Sequence, residues 1–167
     1  MMPYPVRSVA NAIIQKARAH GENITPLKLQ KLLYYVCGYY AAATKSSLID
    51  HTFEAWDYGP VVPEIYREFR VYGNRPITSL ATDVDWDSGA MVPTPPPDGD
   101  KRLQNVLDFV WKTYGKYSAA QLSAMTHAPG SPWDKVRKAN PGIKDADIGL
   151  QVLQEHFEKF IKQKETA

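Results

Sequence analysis

Cysteine is almost absent from this chain of 167 residues, with Cys37 standing alone. A single thiol excludes a disulfide framework and a thiolate zinc site. Histidine is sparse as well. Positions 20, 51, 127 and 156 show no metal-ligand spacing, and H-E-x-x-H does not occur. Neither G-x-G-x-x-G nor the P-loop signature is present, so the usual phosphate cradles are missing. Without G-x-S-x-G there is no nucleophile elbow for Ser131. No run approaches about 18 consecutive apolar residues, the length that marks a membrane-spanning helix. The opening stretch M-M-P-Y-P-V-R lacks the apolar centre of a signal peptide, so a cytoplasmic location is expected. The net charge of +2 is too small to indicate nucleic acid as a partner.

What is there is an ordinary globular composition, 44% hydrophobic and 23% charged, sufficient for one domain with a real core. The charge is unevenly spread. Residues 1–76 carry a net +3, residues 77–100 a net −5 and residues 101–167 a net +4. The acidic stretch is also rich in proline and is expected to be a flexible insertion within a single domain spanning 1–167. Asp83, Asp85 and Asp87 alternate within it. An EF-hand loop has glycine at position 6 and glutamate at position 12. Here Gly89 falls at position 7 and Thr94 at position 12, so no metal site is expected.

The chain is organised around a helix predicted over 25–44. Thr25 can cap it through its hydroxyl, and Pro26 suits the first helical position. Leu29, Leu32, Leu33, Val36, Cys37 and Tyr40 recur at the spacing of one buried face. Cys37 therefore reads as a small buried hydrophobe. Lys28, Lys31, Tyr35 and Tyr39 gather on a second face, away from that stripe. Two lysines against the positive end of a helix dipole break a local rule. That break leaves two readings, two solvated lysines flanking a tyrosine that packs on a neighbour, or an exposed cationic, tyrosine-bearing surface for an acidic partner.

Around this helix the sequence predicts about seven helices and a small two-stranded β element, a mainly α fold. Val6, Val9, Ala10, Ile13 and Ala17 form the stripe of a first helix closed near Gly21. Residues 52–58, T-F-E-A-W-D-Y, read as a strand ended by a turn at Gly59-Pro60. Residues 77–80 are a candidate partner strand. Pro63 starts a helix carrying Ile65, Phe69 and Tyr72, with Arg67 and Arg70 on its outer side. Asp100 caps a helix with Leu103, Val106, Leu107, Val110 and Tyr114 inward. Ser118 and Gln121 make a capping box, and Ser131, Pro132 and Asp134 mark another helix start. Asp145 can begin the last helix, with Ile148, Val152, Phe157, Phe160 and Ile161 inward.

His127, Ser131 and Asp134 could be drawn as a triad. Ser131 and Asp134 are already explained as helix-start residues, which leaves His127 to bond a neighbouring group. Tyr34, Tyr35, Tyr39, Trp56, Tyr58, Tyr66 and Trp133 supply aromatic side chains with polar tips, favoured at protein interfaces and equally able to fill a core.

Four stretches now stand out: I-T-P-L-K-L-Q-K-L-L-Y-Y at 24–35, F-E-A-W-D-Y-G-P-V-V-P-E-I-Y at 53–66, L-S-A-M-T-H at 122–127 and S-P-W at 131–133. In this order they resemble the Panacea domain of SocA-like antitoxins, which also occur as phage-associated proteins. The resemblance runs through Thr25, Pro26, Lys28, Leu29, Gln30, Lys31, Leu33, Tyr34, Tyr35, Trp56, Gly59, Pro60, Tyr66, Thr126, His127, Pro132 and Trp133. It implies a mainly helical domain with a small β element, and no catalytic activity or cofactor. It implies an antitoxin of a type II toxin–antitoxin pair that binds and neutralises a protein toxin encoded by an adjacent gene. The alternatives are an adaptor delivering a toxin to an AAA+ protease, a phage accessory protein, a hydrolase-like enzyme using His127 and Ser131, and a nucleic-acid-binding regulator. The sequence shows no added DNA-binding domain, so operator binding is not expected. Lys28, Lys31, Tyr35, Trp56, Tyr58, His127 and Trp133 are the candidate partner-binding residues.

Overall fold

In the computed structural model, the structure describes the backbone of residues 2–166 and the side chains of residues 2–163. The elements run α1 (Val6–Ala19), α2 (Pro26–Thr44), β1 (Phe53–Trp56), β2 (Gly59–Val61), α3 (Pro63–Phe69) and a turn of 3-10 helix (Arg70–Tyr72). They continue with β3 (Thr82–Val84), β4 (Met91–Pro93), α4 (Lys101–Tyr114), α5 (Ala119–Thr126), α6 (Pro132–Ala139), β5 (Asp147–Ile148) and α7 (Leu150–Thr166). The fold is mainly α with a small β component, as the sequence predicts. Among the described residues no helix is long and apolar enough to cross a membrane.

The helix starts are local and legible. The side chains of Thr25, Asp100, Ser118 and Ser131 each accept a backbone N–H three residues on, satisfying donors that the first helical turn leaves orphaned. In return Gln121 Oε1 accepts from the Ser118 backbone N–H, completing the capping box.

The central helix departs from expectation. α1, α4, α5, α7 and β2 all pack on α2. Fifteen of its nineteen residues are buried, so it has no free second face. Lys31 is 0% exposed, Tyr35 5% and Lys28 7%, and Tyr39 is buried beside them. The predicted exposed surface on Lys28, Lys31 and Tyr35 is therefore corrected. A helix apolar nearly all round, with Tyr34, Ala41 and Ala42 buried beyond the main stripe, belongs in the middle of a domain. Tyr35 stacks on Tyr114 at 3.9 Å and 13°, and Tyr39 shares a 2.7 Å hydroxyl bond with Tyr114. The Phe157 ring of α7 lies over Gly38, where α2 has no side chain. Burial pushes the Cys37 thiol well above its ordinary range, so it packs as a neutral apolar group.

The β element also differs. β1 pairs antiparallel with β2 on one side (Ala55 opposite Pro60, Trp56 opposite Gly59) and with β5 on the other (Phe53 opposite Ile148). The turn lies at Asp57-Tyr58, and Gly59 begins the return strand. Residues 77–80 are not a strand. The last helix starts at Leu150, later than predicted from Asp145, because Asp147 and Ile148 are taken by the sheet. Within the acidic segment, β3 and β4 form a separate hairpin. Its base is fixed on α1: Asn11, fully buried, donates to the carbonyls of Ala81 and Thr94 and accepts from the N–H of Ala81.

Candidate functional site

The buried lysines and glutamine of α2 each reach distant backbone. Lys28 Nζ donates to the Gly115 carbonyl at 2.6 Å, pairs with Glu22 and lies 5.6 Å from the Trp111 ring. Lys31 Nζ donates to the Pro60 carbonyl at 2.9 Å and belongs to no ion pair among the described residues. Gln30 donates to the Val62 carbonyl and accepts from its N–H, both at 3.0 Å, the bonding of one more strand.

These contacts belong to a larger set. The Arg137 Nε donates to Ala55 O, Trp133 Nε1 to Trp56 O, His127 Nε2 to Asp57 O and Ser123 Oγ to Tyr58 O. Together with Lys31 and Gln30, six side chains from α2, from α5 with its cap and from α6 hold the backbone of residues 55–62. His127 also reaches the Ser123 carbonyl through Nδ1 at 2.5 Å. Both ring nitrogens of His127 therefore face backbone carbonyl oxygens. Trp133 lies between the His127 ring at 4.0 Å and the Arg137 guanidinium at 5.0 Å. Gly59 closes the turn at φ +110°, against Thr126 and Lys31.

The clamp leaves a defined surface. Tyr58 is 74% exposed at the tip of the turn. Beside it opens a groove of about 470 Å³, walled by Pro26, Leu27 and Gln30 of α2 and by Trp56, Asp57, Tyr58 and Val61 of the β1–β2 hairpin. Tyr66, Gly73 and Lys144 complete it. Trp56 meets Tyr66 edge-on at 5.0 Å. Asp57 accepts from Arg137 at 2.8 Å and lies 3.7 Å from Lys144, contacts that hold its carboxyl below the usual range.

Of the predicted residues, the structure brings together Trp56, Tyr58, His127 and Trp133, and places Lys31 behind them. Lys28 and Tyr35 lie elsewhere, inside the helical core. The triad has no geometry: Ser131 Oγ donates to Thr126 O and accepts from Asp134 N–H, while His127 faces two carbonyls. Sequence reasoning missed Ser123, Arg137 and Lys144, which no spacing singles out. Gln30 carried a signal, a polar residue whose helical neighbours three and four positions away, Pro26, Leu27, Leu33 and Tyr34, are all apolar or aromatic.

Lys31 yields a pH prediction. Desolvation lowers its ammonium to about 7 in the fold, against about 10.4 in an unfolded chain. Below that lower value both states hold the proton and the burial penalty is fully present. Above it the native state releases the proton while the unfolded chain keeps it, so stability rises with pH across the interval. The rise is at most about 1.4 kcal/mol per pH unit. Urea midpoints of the wild type should climb between pH 6 and pH 9, and Lys31→Met should remove that part of the climb. Parallel pH curves for the two proteins would contradict it.

A site in which side chains clamp backbone, and in which an exposed tyrosine stands beside an apolar groove, defines a scaffold that displays a loop. Comparison with known proteins gives the family. The sequence pattern described as "Antitoxin SocA-like, Panacea domain" matches residues 29–134. Antitoxin SocA of Caulobacter vibrioides (strain NA1000 / CB15N) is 37% identical over 158 residues, covering 95% of this chain and 80% of that protein. No solved structure matches the chain. The chain belongs to the SocA-like antitoxin, Panacea domain family.

Proposed function

We propose that this protein is an antitoxin that neutralises a protein toxin by direct contact, docking it on the Asp57-Tyr58 turn and the adjoining groove. The observation that supports this reading is the clamp itself. Six side chains are devoted to fixing the hairpin that carries one exposed turn, which is pre-organisation of a binding surface at low entropic cost on association. Tyrosine and tryptophan at such a surface are typical of the few residues that dominate an interface. The chain then acts by binding rather than by catalysis, since His127 and Ser131 spend their polar atoms on backbone. The proposed partner-binding residues become Trp56 and Tyr58 at the surface, with His127, Trp133 and Lys31 as positioning groups.

Co-expression with the product of the adjacent gene tests it. The wild type should form a complex and restore growth. Tyr58→Ala, at an exposed position that should leave the melting temperature unchanged, should weaken the complex by about 2 kcal/mol, roughly thirtyfold. A shortened toxin half-life instead of a stable complex would point to delivery to a protease. Full rescue and unchanged affinity in Tyr58→Ala, Trp56→Ala would place the contact elsewhere.

A further inference from the structure

A second concavity, of about 580 Å³, lies between the C-terminal ends of α1 and α4. Its apolar wall is the Trp111 indole beside Gly115, where a Cβ would fall 2.8 Å from Trp111 Cδ2. His20 tilts against the indole at 5.5 Å and turns Nδ1 to the Lys16 carbonyl at 2.9 Å. The charged lining is Lys16, Lys112 and Lys116 against Asp108 alone. Over the whole of residues 16–28 and 108–117 the chain carries Lys16, Arg18, Lys28, Lys112 and Lys116 against Glu22 and Asp108. Both carboxylates are engaged, Asp108 by Lys16 and Glu22 by Lys28. Lys112 and Lys116 are exposed and join no ion pair among the described residues. They stand four residues apart, a spacing at which like charges repel along a helix. A helix dipole favours a cation in the last turn, at Lys16 and Lys112. Lys116 lies past the end of α4, 5.4 Å from the Tyr117 ring.

We infer that this cleft binds a small ligand through a di- or triphosphate group, its phosphoryl oxygens held by Lys112 and Lys116. The site shares no residue with the groove beside Tyr58, so the inference stands apart from the docking surface proposed above. Three ammonium groups surround the concavity, and among the described residues no arginine lines it. An arginine fork suits a flat carboxylate, whereas lysine acts as a point charge and is a usual partner of phosphate. A phosphate gathers up to about two charges on one tetrahedral group, which lets it meet more than one ammonium at once. It would also relieve the repulsion between Lys112 and Lys116 that no carboxylate of the cleft answers. The volume is that of a small-molecule site.

The probes are inorganic triphosphate and ATP, each titrated into the full chain by calorimetry without magnesium. Saturable one-to-one binding is expected, weakening as salt rises. Equal affinities would make the phosphates the whole ligand, and tighter binding of ATP would add a contact from the nucleoside; either result supports the site. Lys112→Glu, Lys116→Glu should weaken binding by about tenfold or more. Lys112→Gln, Lys116→Gln removes the charges without reversing them and gives the same reading if the first variant fails to fold. Lys101→Glu, Lys159→Glu makes the same change in net charge at exposed positions outside the cleft and should leave binding unaltered. No binding of either probe, an equal loss in both charge-reversed proteins, or equal binding of a hexaglutamate peptide would overturn the inference.

Discussion

Gly59→Ala is expected to destabilise the protein by about 3 kcal/mol or more, combining backbone strain with overpacking. The backbone at Gly59 has φ +110°, a region that side chains rarely adopt. A Cβ there would also lie 2.6 Å from Thr126 Oγ1 and 2.9 Å from Lys31 Cε. Lys31 cannot swing aside, because it is wholly buried and bonded to the next carbonyl. Toxin binding should fall with stability, since the displaced turn carries Tyr58. Gly21 is the control. Its φ of +80° is also left-handed, yet an added Cβ meets nothing within 4 Å, so alanine there should cost only about 1–2 kcal/mol. Urea unfolding of the two variants checks this, and equal losses would show that the crowding at the turn is not real.

Gly38→Ala is the second large effect, with an expected loss of about 2–3 kcal/mol from forced separation of α2 and α7. The new Cβ would fall 2.2 Å from Phe157 Cε2 and 2.3 Å from Cδ2. The ring has little freedom to rotate, because it is fully buried and meets Tyr34 at 5.4 Å and Tyr39 at 4.8 Å, both edge-on. Phe157→Leu should therefore relieve part of the cost of Gly38→Ala. The double-mutant cycle should show a coupling of about 1 kcal/mol or more. Strict additivity in thermal unfolding would mean that glycine is not what lets these helices approach.

These effects also mark what the sequence could and could not reveal. Caps were legible because a hydroxyl or carboxylate followed three residues later by a backbone donor is a local arrangement, and Thr25, Asp100, Ser118 and Ser131 all behave as read. The core stripe of α2 was legible for the same reason, being a periodicity within one segment. The second face was misread because lysine is normally an exposed residue. What overrides that tendency is a pair of carbonyl oxygens, Gly115 and Pro60, carried by segments distant in the chain. β2 and β5 were missed because strands of two or three residues carry no periodicity of their own. The candidate site was half legible. Trp56, His127 and Trp133 stood out through the family resemblance, and Tyr58 through the aromatic content beside them. Their division of labour, clamp against displayed surface, required knowing which carbonyl each donor meets.

The burial of Lys28, Lys31 and Tyr35 changes the meaning of the motif rather than discarding it. Lys31 is an interior support of the clamped hairpin, whereas Lys28 and Tyr35 serve the helical core. The exposed surface is then smaller and more specific: one tyrosine and one groove. The β3–β4 hairpin stays outside this scheme, although it exposes Trp86 and lies in the acidic segment.

Amide hydrogen exchange on the complex with the adjacent gene product tests the central claim most directly, because it reads the interface along the whole backbone. The account predicts that binding slows exchange at residues 57–59, 64–73 and 143–145, with no change across β3 and β4. Protection confined to that hairpin or to α7, with the Asp57-Tyr58 turn unaltered, would contradict it.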